Sequence, residues 1–119
     1  MEARVSPRVS PRVSISPYNV ERWLASLGSS PLDVADSLRQ LRARGIRDST
    51  TRCPLARALE TRGCQHVRVY HTLYRSWAQW CDEQGRSYEL ALPRGCWQFV
   101  KDFDAGKYPD LDEKGESHV

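Results

Sequence analysis

HVRVYHTLYRSWAQWCDEQGRSYELAL, residues 66–92, is the stretch on which the fold class turns. Two periods compete in it. Val67 and Val69 alternate with His66, Arg68 and Tyr70, the period of a half-buried strand. Val69, Leu73, Trp77 and Trp80 also fall at the spacing of a helical stripe. Residue type decides between the two. The run is rich in aromatic and β-branched side chains, which fit a pleated surface. The segment from Asp82 to Ser87 contains Gly85 and reads as a turn. Tyr88 to Leu92 then alternates again. The expectation is a small antiparallel sheet of two or three strands, with the three-stranded meander preferred.

On either side of this stretch the pattern is helical. Ser16-Pro17 and Ser30-Pro31 each offer a capping hydroxyl followed by a proline at the first helical position. Cys53-Pro54 repeats the arrangement with a thiol as the cap. Val20, Trp23, Leu24 and Leu27 form one apolar face, and Val34, Leu38 and Leu41 another. Leu55 and Leu59 point inward from a short third helix. Pro93 opens the last one, with Cys96, Phe99, Val100 and Phe103 on its apolar face. Gly28, Gly45, Gly63 and Gly106 supply the stops. Helices are expected at about 18–27, 31–44, 54–62 and 93–105, the first two as an antiparallel pair. Phe103 and Tyr108 are expected to meet across the final turn. The fold class is therefore α+β: N-terminal helices, a small antiparallel sheet and a C-terminal helix.

The 119 residues suit one domain. Residues 4–15 read RVSP, RVSP, RVSI, a repeat with prolines where a helix or strand needs an N–H. Its low apolar content predicts disorder. The expected organisation is a disordered tail over 1–16, one α+β domain over 17–111, and a disordered acidic end over 112–119. No apolar run approaches the roughly 18 residues of a membrane span, and mean hydropathy is −0.64. The N-terminus has no apolar core of an export signal. A soluble, cytoplasmic protein follows as the expectation, with no membrane partner.

Charge is unevenly placed. From Arg39 to Arg68 there are eight arginines against two acids, and from Lys101 onward three lysines against six acids. A basic middle attracts phosphate backbones or an acidic protein surface. The candidate patch for either partner is Arg39, Arg42, Arg44, Arg47, Arg52 and Arg57. The helices at 31–44 and 54–62 superficially suggest a helix-turn-helix, but the loop between them is long and the second helix short. Exposed tryptophan or tyrosine from the strand region would stack on bases.

Four cysteines stand at 53, 64, 81 and 96, without the paired spacing of a zinc site. A metal set of Cys53, Cys64, His66 and His71 is weighed and set aside for that reason, and no cofactor is implied. Cys53 is the candidate reactive thiol. A helix N-terminus and the neighbouring Arg52 favour a thiolate, and His66 or His71 would serve as its base. The structural alternative is a small buried side chain whose sulfur weakly caps the helix, and the absence of a Cys–His signature favours it. There is no glycine-rich phosphate loop and no nucleophile elbow.

CPLAR at 53–57, VADSLRQLRARGI at 34–46 and LPRGCWQFVKDFDAGKYPDL at 92–111 resemble a class of small uncharacterised proteins of actinobacteria and their phages. The resemblance spans about residues 32–111 and implies no activity. The functional expectation is a non-enzymatic binding or regulatory module whose partner is a protein. A small nucleic-acid-binding protein using the arginine patch comes second, and a thiol-dependent enzyme using Cys53 third. Trp77 and Trp80 are the candidate interface anchors, if exposed.

Overall fold

Among the described residues, three of the four α-helices start in the way their sequence requires. In this computed structural model, which describes residues 15–113, α1 runs Pro17–Ser26, α2 Pro31–Gln40 and α3 Pro54–Thr61. The Ser16 hydroxyl accepts the Asn19 N–H at 3.4 Å, and the Ser30 hydroxyl accepts that of Asp33 at 3.1 Å. The Cys53 sulfur accepts the Ala56 N–H at 3.4 Å. Each bond satisfies one of the donors that a helix start leaves open. The fourth helix, α4 at Arg94–Asp104, follows Pro93 without a side-chain cap.

The helix expected to reach residue 44 stops at Gln40. Arg42 adopts a left-handed conformation with φ 58°. Its N–H donates to Arg39, and the Ala43 N–H donates to Leu38 at 2.9 Å. These two bonds close the helix in a Schellman motif, with Ala43 buried beyond it. An arginine in this role, usually glycine's, costs about 1 kcal/mol. Gly45 is therefore not the helix stop. A Cβ at Gly45 would lie 2.2 Å from the Arg52 carbonyl oxygen and 2.5 Å from the Pro54 nitrogen. The residue is glycine because another backbone segment passes over it.

The 66–92 region is a three-stranded antiparallel meander: β1 Gln65–His71, β2 Ser76–Cys81 and β3 Ser87–Ala91, in the order β1-β2-β3. Val69 pairs with Ala78 and Ala78 with Leu90, while Tyr70 pairs with Trp77 and Trp77 with Ala91. Alternation then separates two faces. Val67, Val69, Ala78 and Trp80 are buried against the helices. Arg68, Tyr70, Trp77, Gln79 and Glu89 point the other way. A bulge between Gln65 and Arg68 carries His66 at φ 53°.

The core lies between the sheet and the four helices. Trp80, Phe99, Phe103, Leu24, Leu38 and Leu59 are among its fully buried side chains. α1 and α2, expected as a pair, take other principal partners. α2 lies along α4, while α1 meets β3 and α4. Gly95 makes this arrangement feasible, since a Cβ there would sit 2.8 Å from the Gly28 carbonyl oxygen. The α1–α2 turn is thus packed against the start of α4. Tyr108 stacks on Phe99 at 5.3 Å and Phe99 on Phe103 at 5.8 Å, so Phe99 receives the contact expected at Phe103.

Packing reaches two residues past each expected domain boundary. The Ile15 carbonyl accepts the Trp80 indole N–H at 2.8 Å, and Ile15 packs on the core. After the short 3₁₀ turn Pro109–Leu111, Asp112 is buried and Glu113 donates its N–H to the Gly45 carbonyl at 2.8 Å. The remainder of the two expected disordered ends, residues 1–14 and 114–119, lies outside the described residues.

Candidate binding surface

Most of the arginines expected to form an anion-binding patch are committed within the domain. The Arg39 Nε lies 2.6 Å from Asp110 Oδ2, and its Nη1 lies 2.6 Å from Asp36 Oδ1. Arg44 donates to the Asp110 and Asp112 carbonyls at 3.2 and 3.4 Å. Arg47 pairs with Asp112 at 2.9 Å, and Arg57 with Glu113 at 2.5 Å. The basic middle of the sequence thus receives its own acidic end. The side chains of Arg42 and Arg52 are exposed. Arg42 shares a surface hollow with Arg39, Arg44, Asp110 and Leu111.

Cys53 lines a small cleft of about 190 Å³ with His71 and Asp104. His71 Nε2 lies 2.7 Å from Asp104 Oδ2, and Asp104 Oδ1 accepts the Asp48 N–H at 2.9 Å. The sulfur, however, is almost wholly buried. Burial pushes its thiol up to about 12, against the hydrogen bond from Ala56 and with the Asp104 charge adding to the rise. The helix start therefore does not yield a thiolate at neutral pH, because desolvation outweighs it. His66, the other candidate base, belongs to the opposite face of the sheet. Among the described residues no three His, Cys, Asp or Glu side chains are grouped to hold a metal ion.

The sheet's outer face is different in character. Trp77 is half-buried there and sits between two partners. The Tyr70 ring stacks on it at 5.0 Å with 21° between planes, and the Arg75 guanidinium carbon lies 4.2 Å from its ring centroid. Cross-strand pairing of residues 70 and 77 imposes the first contact. Ala91 pairs with Trp77 on its β3 side. Trp80, the other candidate anchor, is buried and unavailable.

Below the stack the same face forms a shallow basin of about 530 Å³, with His66, Arg68, Gln79, Cys81, Ser87 and Glu89 among its lining residues. Gln79 donates to Glu89 at 2.9 Å, and Arg75 lies 3.9 Å from the same carboxylate. Above the stack, the β1–β2 turn exposes Leu73 by 79% and Tyr74 by 87%. The turn is held in shape. The Thr72 N–H donates to the Arg75 carbonyl at 2.7 Å, which closes it. The Thr72 hydroxyl accepts the N–H groups of Tyr74 and Arg75. Among the described residues every helix that meets the sheet does so on its inner face.

Tyr70, Arg75 and Gln79 were not singled out by sequence reasoning. The available signal was the strand alternation, which puts 68 and 70 on the face opposite 67 and 69. It needed the register with β2 to show that Tyr70 meets Trp77. No helix among the described residues is long and apolar enough to cross a membrane. No family model, curated protein or solved structure matches the chain.

Proposed function

We propose that the chain is a non-enzymatic binding or regulatory module, and that its partner docks on the outer face of the sheet. The carrying observation is the Tyr70–Trp77–Arg75 stack, held on a face that no described helix covers. Tryptophan, tyrosine and arginine are the residues in which binding energy concentrates. A turn braced by Thr72 presents Leu73 and Tyr74 without further ordering, which lowers the entropic cost of docking. The arginine patch supports binding less well, because four of its six members already face acids or carbonyls of the same chain. The buried, protonated Cys53 likewise gives the enzymatic reading little support. A cytoplasmic setting belongs to the proposal, since four free thiols suit a reducing compartment.

Affinity capture with matched baits tests it. A partner is expected to be retained by the wild-type chain and by Arg42→Ser, and lost by the double variant Tyr74→Ser/Arg75→Ser. The same pattern is expected with the purified partner. Loss with Arg42→Ser and retention by the double variant would move the surface to the end of α2 and overturn the reading.

A further inference from the structure

We propose that the occupant of the outer sheet face is single-stranded nucleic acid; this rests on the reading of that face as the docking surface. Three aromatic rings lie along it. Tyr70 and Trp77 form the stack, and Tyr74 stands almost free in solvent at the adjoining turn. The Trp77 indole is already covered by Tyr70 and Arg75 and backs the Tyr70 ring, so the rings offered to bases are Tyr70 and Tyr74, and stacking on them tolerates any base. Bases inside a duplex are already stacked, so the surface selects an unpaired strand.

Charge on the face matches a phosphate backbone. Arg68 and Arg75 are exposed cations flanking the stack, and His66 lies beyond them at the bulge. Glu89 is the acid of the basin. Its carboxylate takes the Gln79 amide at 2.9 Å and stands 3.9 Å from Arg75. It therefore holds one Gln79 donor and offsets the Arg75 charge that a phosphate would meet. A bound strand takes over Arg75, while Gln79 keeps its second amide N–H and its side-chain carbonyl for base edges. A protein partner would meet the same rings, but two cations beside the Tyr70 and Tyr74 rings favour the polyanion.

The test is fluorescence anisotropy with labelled oligo-uridine and oligo-thymidine of about fifteen nucleotides. Affinity is expected to fall as salt rises. Tyr70→Leu, which keeps an apolar strand residue, and Arg75→Ala should each weaken binding about fivefold or more. Arg42→Ala should change it less than about twofold, and a duplex of the same length should bind at least about tenfold more weakly. Glu89→Gln should tighten binding about two- to threefold by removing the negative charge beside Arg75, a gain that misfolding cannot produce. Absence of oligonucleotide binding at low salt overturns the nucleic-acid proposal. If the matched-bait capture still loses a protein on Tyr74→Ser/Arg75→Ser, the docking face stands with a protein as occupant. Oligonucleotide binding that ignores Tyr70→Leu and Glu89→Gln but fails with Arg42→Ala overturns both.

Discussion

Gly45 and Asp112 pair in an isolated parallel bridge. The Gly45 N–H donates to the Leu111 carbonyl at 2.9 Å, and its own carbonyl accepts from Glu113 at 2.8 Å. On its other side Gly45 touches the backbone of Arg52 to Pro54. One residue therefore joins the segment that follows α4 to the start of α3. Gly45→Ala is expected to destabilise the domain by about 2–3 kcal/mol, because a methyl group meets backbone that cannot move aside cheaply. Urea unfolding measures it, and a loss under about 0.5 kcal/mol, the range of an ordinary surface change, would show that the two segments separate freely.

The acids of this closing segment neutralise the arginines beneath them. The hydrogen bond from Arg39 holds the Asp110 carboxyl below its ordinary value, in spite of partial burial. Asp110→Asn with Glu113→Gln leaves Arg39 and Arg57 without their carboxylate partners from this segment. Retention on immobilised heparin should then rise, with elution at higher salt than the wild type. Unchanged elution would mean that these arginines are already available to polyanions.

Acid sensitivity should centre on the β2–β3 turn. Burial alone would raise the Asp82 carboxyl, yet bonds from the Arg86 N–H, the Tyr88 hydroxyl, the Arg86 guanidinium and the Gln84 N–H bring it to about 2. The folded value lies below the ordinary one, so this stabilisation is complete above about pH 4 and is lost as pH falls through about 2. Asp82→Asn should be less stable at neutral pH and show a shallower acid limb in circular-dichroism melts. A melt identical to the wild type from neutral pH to about pH 2 would remove Asp82 from the account.

Thiol accessibility should divide one against three. Burial raises Cys53 and Cys96 to about 12 and Cys64 to about 11. Cys81 is half-buried on the outer face, 3.7 Å from the Ser87 hydroxyl. In the native protein an aromatic disulfide reagent should titrate Cys81 at least about a hundredfold faster than the others, and denaturant should release all four. Fast labelling of Cys53 in native buffer would restore it as a nucleophile candidate.

The β1–β2 turn should separate stability from binding. Leu73→Asn and Tyr74→Ser remove exposed groups and are expected to change stability by less than about 0.5 kcal/mol. Thr72→Ala deletes the hydroxyl that organises the turn and should cost about 1 kcal/mol. Thermal melts of the three variants check the order, and equal losses would mean that the tip packs on the domain.

Local chemistry was enough to read the elements. Ser16-Pro17, Ser30-Pro31 and Cys53-Pro54 announce helix starts, since a cap acceptor and a proline act within a few residues. The alternation at Val67 and Val69 and the aromatic content of 74–80 were sufficient for the meander. Early termination of α2 was not legible, because Arg42 takes a conformation usually left to glycine while Gly45 offers a nearer match to the rule. The charge blocks were visible, but not that they face one another: that follows from Leu111 and Asp112 being drawn into the core beside Gly45. The docking face was legible only in part. Alternation assigns Arg68 and Tyr70 to the side away from the core, whereas the stack of Tyr70 on Trp77 depends on register between strands. Sequence alone therefore determined what lies within a turn of helix or a strand's period, where each residue's own backbone sets the outcome. Tertiary structure decided which arginines were spent and which rings were left open, because those contacts join residues far apart in the chain and form only when the core closes.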